Sequence, residues 1–173
     1  MFTTPMDLFE FAFDQLIIGA KKSSHDFHTL AVSSVNKRGF PSCRTVVLRN
    51  VDSDRLSLSI HSDSRSQKNL EFINQPKAAL LFYSKRHSLQ VRFSALANVI
   101  TKTKASKHAY FASSKSAQRC YSYEQNPGSP IDVQKKELLQ PDIETHFSDT
   151  NLKFGETNFS IISFKFLTCD ILY

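Results

Sequence analysis

Apolar and polar positions along this chain follow two different periods, and the switches between them mark the elements. Leu8, Phe9, Ala12, Phe13, Leu16 and Ile17 recur at helical spacing. Thr4-Pro5 ahead of them supplies a capping hydroxyl and a proline at the first helical position, and Gly19 with Lys21-Lys22 marks the end. Phe11 and Ile18 widen the apolar stripe enough to suggest a partner surface. Strand-type runs cover residues 27–35, 41–51 and 55–62, the first two joined by a hairpin turn at Asn36-Lys37-Arg38-Gly39. Residues 66–74 predict a short helix stopped by Gln75-Pro76, with Leu70 and Ile73 spaced to face a core. Residues 78–83 and 89–100 predict two more strands. The second puts Gln90, Arg92, Ser94 and Asn98 on one face and Leu89, Val91, Phe93, Ala95, Ala97 and Val99 on the other. Helices are expected over 102–113, 114–122 and 131–139, with a Pro/Gly-rich loop at 124–130. Residues 142–155 read as the least structured stretch, and 159–166 and 168–173 as two closing strands.

Strands joined by short turns favour antiparallel pairing, and no β-α-β rhythm is present. The order therefore predicts a mainly β fold, a small closed or split barrel of six or seven strands with flanking helices. At 173 residues the chain reads as a single domain over 1–173.

Charge and cysteine content narrow the function classes. The net charge of +6 comes from scattered basic pairs such as Lys21-Lys22, Lys85-Arg86 and Lys135-Lys136, without a five-residue basic run, which disfavours nucleic acid. Cys43, Cys120 and Cys169 are odd in number and far apart, so neither a disulfide framework nor a zinc site is expected, and they read as small buried residues. His61, His87 and His108 share no metal-ligand spacing. Asp7, Glu10 and Asp14 interrupt the N-terminal apolar positions as no signal peptide would, and no run approaches 18 apolar residues, so a cytoplasmic setting without a membrane span is expected.

Candidate chemistry is concentrated between Arg44 and Lys68. Arg44 and Arg49 are five apart on one strand and point to opposite faces, so at least one lies near the apolar side and needs an anionic partner or a bulge that re-aims it. Ser64, Arg65, Ser66 and Lys68 bring hydroxyls, two cations and free backbone N–H groups to a helix N-terminus, a phosphate-binding composition.

Five segments in order resemble the pyridoxamine 5′-phosphate oxidase family of FMN-binding split barrels. They are Arg44-Thr45-Val46-Val47-Leu48-Arg49, Ser62-Asp63-Ser64-Arg65-Ser66-Gln67-Lys68, the strand entry from Asn74-Gln75-Pro76, Gln90-Val91-Arg92, and Tyr110-Phe111 followed by Ser113, Ser114 and Gln118. The resemblance spans roughly residues 27 to 130. It implies a Greek-key split barrel acting as a homodimer, with FMN in clefts between subunits and a small-molecule substrate, phosphorylated in the B6 oxidases. FMN contacts are implied for Arg44, Thr45, Val46, Val47, Arg49, His61, Ser62, Arg65, Ser66, Gln67, Lys68, Gln90 and Gln118. Substrate contacts are implied for Arg49, Tyr110 and Ser114. No protein acid, base or metal is implied as catalytic. The chain departs from the full-length oxidases in having no tryptophan, in ending at Asp170-Ile171-Leu172-Tyr173, and in placing Ser114 or Lys115 where they carry an arginine. The function implied is an FMN-dependent oxidoreductase, with a non-catalytic flavin-binding or redox-sensing module as the alternative.

Overall fold

A computed structural model describes residues 4–129 and 149–173. Helix α1 (Pro5–Lys21) starts with a capping box in which the Thr4 hydroxyl accepts from the Asp7 N–H and the Asp7 carboxylate accepts from the Thr4 N–H. A 3-10 turn, Asp26–His28, leads into β1 (Thr29–Val35), so Phe27 precedes the strand instead of opening it. There follow β2 (Pro41–Asp52), β3 (Ser57–Asp63), α2 (Gln67–Asn74), β4 (Lys77–Ser84) and β5 (Leu89–Thr101). The chain continues through α3 (Lys104–Ala112), α4 (Lys115–Arg119), α5 (Asp149–Asn158) and β6 (Phe159–Leu172). Among the described residues no helix is long and apolar enough to cross a membrane.

The six strands close into an antiparallel barrel in the order β1-β2-β3-β6-β5-β4, with β4 pairing back onto β1. Closure removes free sheet edges and turns the alternation of each strand into an inside and an outside. Leu48, Leu58, Ile60, Leu80, Phe82, Val91, Phe93, Ile162 and Phe164 fill the interior with Phe13, Leu16 and Phe27. Phe72 of α2 meets Phe164 edge-on at 5.4 Å between ring centres, so α2 belongs to the core. A smaller cluster of Tyr110, Tyr121 and Phe159, joined by Ala109 and Ile161, forms beside α3.

Four expectations are corrected by packing. Residues 142–155 do not lack structure throughout, because α5 begins at Asp149. The two expected closing strands are one, interrupted opposite Ser94 and Ala95, where the register shift leaves Leu167 as an extra residue. Leu70 and Ile73 point outward, and α2 buries Asn69, Glu71 and Phe72 instead. All three cysteines are exposed. The helix expected over 131–139 lies outside the described residues.

Gly19 lets α1 rest on the backbone of Phe27, where an added Cβ would lie 2.6 Å from the carbonyl carbon and oxygen. Backbone atoms cannot swing away as a side chain would. Gly19→Ala is therefore expected to destabilise the protein by about 1–2 kcal/mol, despite the ~1 kcal/mol helix-propensity gain of alanine. A urea midpoint unchanged or raised would show that α1 shifts freely.

Candidate functional site

The end of β3 and the start of α2 form a niche of hydroxyls around one cation. Lys68 Nζ donates to Ser62 Oγ at 3.2 Å and Ser66 Oγ at 3.1 Å. Buried Asn69 fixes both oxygens, its amide donating to Ser62 Oγ, Ser66 Oγ and the Asp63 carbonyl at 3.0, 2.8 and 2.6 Å. The Asn69 carbonyl oxygen in turn accepts from Ser160 Oγ of β6 at 3.0 Å. Ser66 is the N-cap of α2, yet its hydroxyl makes no capping bond to the helix and donates to the Asp63 carbonyl at 2.7 Å. The positive end of the helix is thus left without a side-chain cap next to an ammonium. No described carboxylate lies within ion-pairing distance of Lys68. Burial lowers its pKa, and the neighbouring Arg44 lowers it further.

Arg44 has found its anion inside the protein. Its Nη2 lies 2.9 Å from Glu71 Oε2, with the Glu71 side chain 2 % exposed. Nη1 donates to Ser34 Oγ at 2.6 Å and Nη2 to Ser42 Oγ at 2.8 Å, and Ser34 Oγ also donates to Glu71. The pair ties β1 and β2 to α2, three residues past Lys68. Arg65 is likewise engaged within the chain. Nε and Nη2 grip the Asp63 carboxylate at 3.0 and 2.7 Å, and Nη2 and Nη1 donate to the carbonyls of Tyr123 and Glu124. Its guanidinium also stands 5.7 Å from the centre of the Phe154 ring.

Arg49 sits at the β2 bulge, where the pairing with β3 shifts between Leu48 and Asn50. It is exposed and lies within ion-pairing distance of no described carboxylate. Its charge reaches two groups. His61 packs edge-on against Phe159 at 4.7 Å, and burial, then Arg49, push its imidazole down to about 4. Burial holds the Tyr121 hydroxyl up at about 12. Both rings are therefore neutral at pH 7.

The remaining expected positions are dispersed. Thr45 is exposed and Val46 and Val47 half-buried along β2, and Gln67 is exposed on the first residue of α2. Gln90 pairs with Tyr83 and Leu172, whereas the niche end of β6 pairs with Thr101. Eleven residues, about 35 Å of strand, separate Gln90 from Thr101. Gln118 is buried, its amide donating to the carbonyls of Ser113 and Tyr110 at 2.8 and 3.1 Å while its Oε1 has no partner among the described residues. Tyr110 is fully buried, and the Ser114 hydroxyl caps α4 at 3.3 Å from the Ala117 N–H. Sequence reasoning missed Glu71, Asn69 and Ser160, which build the niche from behind. The signal for Glu71 was indirect: a strand arginine facing inward calls for a carboxylate, but nothing in the chain says which.

An anion with several acceptor oxygens fits this niche. One half-buried ammonium, two ordered hydroxyls and an uncapped helix start form a donor set of the kind that a phosphate group takes. Lys68 is placed to hold it, joined by Ser62 and Ser66 once their single hydroxyl protons turn from the partners they have within the chain, whereas four of the five N–H donors of Arg65 are already engaged.

Comparison with known proteins shows the family. The chain is 37% identical over 93 residues to a pyridoxine/pyridoxamine 5′-phosphate oxidase of Bradyrhizobium sp. (strain ORS 278), covering 54% of this chain and 41% of that protein. It is 30% identical over 138 residues to the enzyme of that name from Caulobacter vibrioides, covering 78% and 56%. The chain thus spans about half the length of the curated relatives it matches. A solved structure of a pyridoxamine 5′-phosphate oxidase-related, FMN-binding protein from Nostoc punctiforme superposes over 99% of this chain and 86% of its own, with a TM-score of 0.72 and 20% identity. PhzG from Burkholderia lata 383, solved with tetrahydrophenazine-1-carboxylic acid, shares the fold at a TM-score of 0.69 and 15% identity, covering 98% and 79%. Residues 8–101 match the FMN-binding domain of pyridoxamine 5′-phosphate oxidase, and the chain belongs to that family, with FMN as its cofactor.

Proposed function

We propose that this protein is an FMN-dependent oxidoreductase acting on a small molecule. The observation that carries this reading is Lys68. A half-buried ammonium facing two hydroxyls, with no described carboxylate within ion-pairing distance, is an unfavourable arrangement until an anion arrives. The flavin phosphate is the anion that the family brings. Bound FMN supplies the redox chemistry. The chain's own part is to bind and orient: Lys68, Ser62 and Ser66 hold the phosphate, Asn69 fixes the two hydroxyls, and the Arg44–Glu71 pair holds α2 in place. Arg65 acts at one remove, clamping Asp63 and the chain after α4 beside the niche. Arg49, next to the neutral His61, provides positive charge near the reacting region, where it would favour an anionic reduced ring.

The working form in this reading is a homodimer. Gln90 lies at the far end of β5 from the niche, so a flavin that meets both Gln90 and Lys68 needs them from different copies. The exposed outer residues Leu81 and Tyr83 of β4 and Leu96 of β5 give such a contact an apolar surface.

Lys68→Ala should weaken FMN binding about tenfold to a hundredfold, the loss of one or two charge-assisted hydrogen bonds. Quenching of flavin fluorescence on titration into apoprotein measures this. Wild-type affinity in the variant would remove the phosphate assignment. Turnover of a reduced or oxidised small-molecule partner by the flavin-loaded protein tests the enzymatic part.

A further inference from the structure

We infer that the niche at Lys68 selects the doubly charged, unprotonated form of the flavin phosphate, and that Asn69 sets this preference by filling the lone pairs of the two serine hydroxyls. The inference rests on the flavin reading above and concerns which ionisation state of the ligand that site accepts.

The direction of the hydrogen bonds carries it. A hydroxyl has one proton to give and two lone pairs to fill. Ser62 Oγ receives Lys68 Nζ at 3.2 Å and the Asn69 amide at 3.0 Å. Ser66 Oγ receives the same two groups at 3.1 and 2.8 Å. With their accepting sides occupied, both hydroxyls meet a ligand as donors. Their protons can be released to it. Ser66 Oγ donates to the Asp63 carbonyl at 2.7 Å and Ser62 Oγ at 3.3 Å. When the hydroxyls turn away, that carbonyl keeps the Ser66 N–H at 3.0 Å and the Asn69 amide at 2.6 Å. Asn69 is fixed in this sense. It is 1 % exposed, and its own carbonyl oxygen accepts from Ser160 Oγ at 3.0 Å. Turned over, the amide would set its oxygen against the Asp63 carbonyl.

Among the described residues that form the niche, no acceptor faces a phosphate proton. The Glu71 carboxylate is turned to Arg44 and Ser34, and the Asp63 carboxylate to the side chain and N–H of Arg65. His61, at about 4 beside Arg49, and Tyr121, at about 12, are both neutral between pH 5 and 7.5. Burial lowers the Lys68 pKa, and loss of its proton weakens anion binding toward alkaline pH, the opposite sense to the effect inferred. A phosphate monoester dianion takes up a proton at about pH 6. The protonated oxygen then forfeits its bond or turns out of the niche, and half of the charge opposite Lys68 is lost.

Phosphorus NMR of the flavin-loaded protein tests this. The resonance of free FMN moves with a midpoint of about pH 6, and that of bound FMN is expected to hold its dianion position from pH 7.5 to 5. FMN affinity, read from fluorescence quenching at constant ionic strength, should fall about tenfold over that range as the free ligand takes up its proton. Sulfate, a tetrahedral dianion that carries no proton there, should displace FMN equally well, within threefold, at both ends. Asn69→Ala opens the hydroxyl lone pairs, so its bound phosphate should titrate inside the range and its affinity should change threefold or less. Ser160→Ala, which only loosens the amide, should fall between and keeps the test open where Asn69→Ala does not fold. A bound resonance that titrates with free FMN overturns the inference. So does sulfate binding that varies with pH as FMN binding does, which places the proton on the protein, or an unchanged profile in the variants. FMN that fails to bind at pH 7.5 overturns the cofactor reading beneath it.

Discussion

Arg44→Ala is expected to lower the stability of the folded protein by about 3–5 kcal/mol, because it leaves the Glu71 carboxylate buried without its cation. Against a typical total of 5–15 kcal/mol this is a large loss. The double variant Arg44→Met with Glu71→Gln, which removes both charges, should recover most of it, since the cost lies in the unpaired charge and not in the absent bond. Urea unfolding followed by circular dichroism measures both. A loss under 1 kcal/mol in the single variant would mean that Glu71 is neutralised by other means and that the pair does not hold α2. The same comparison bears on function. Arg44→Ala should also loosen FMN, but through the position of α2 and Lys68, so flavin affinity should follow stability across the Arg44 and Glu71 variants. Lys68→Ala should lose affinity while stability holds.

Acid should destabilise the protein through His61. Its folded pKa of about 4 lies below the ordinary value of 6.5, so the unfolded chain binds the proton first. Stability is therefore fully present above pH 6.5, declines as the pH falls toward 4, and changes no further from this group below that. Two and a half pKa units correspond to at most about 3 kcal/mol, and partial exposure of the ring reduces this. The difference between wild type and His61→Gln isolates the contribution from carboxylates that titrate nearby. The stability difference between the two should drift by about 2 kcal/mol between pH 6.5 and 4, with wild type losing more. Parallel curves would show that the imidazole is free to ionise in the folded state. The cause, burial against Phe159 and repulsion by Arg49, also predicts that Arg49→Ala raises the His61 pKa modestly, which NMR titration of the ring would register.

Much of this fold is legible in local pattern. The first helix, the Asn36–Gly39 hairpin turn, the helix start at Ser66 and the clean alternation along β5 all express side-chain period and turn chemistry, which are properties of neighbouring residues. The errors share a different cause. Leu70 and Ile73 are apolar and correctly spaced, yet α2 turns them outward. Its polar residues Asn69 and Glu71 have partners waiting on Ser62, Ser66 and Arg44, and Phe72 alone fills the barrel end. The interruption at Leu167 appeared as two strands because a bulge and a strand end look alike until the partner strand is known.

By itself the sequence determined the antiparallel barrel class and, through the resemblance that its ordered motifs carry, the family and the cofactor, because each depends on residue types at short fixed spacing. Only the tertiary structure decided which cations are available to a ligand. Arg44 and Arg65 look equivalent to Lys68 along the chain. Folding pairs Arg44 with a carboxylate 27 residues away and Arg65 with Asp63 and two distant carbonyls, leaving Lys68 as the cation of the niche that meets only hydroxyls. It also decided that Tyr110 is covered by α5, where a Cβ on Gly155 would overlap the Tyr110 hydroxyl. The physical reason is the same in both cases. Whether a charge or a hydroxyl is free depends on desolvation and on partners brought from far along the chain, and neither is encoded in the residue's own neighbourhood.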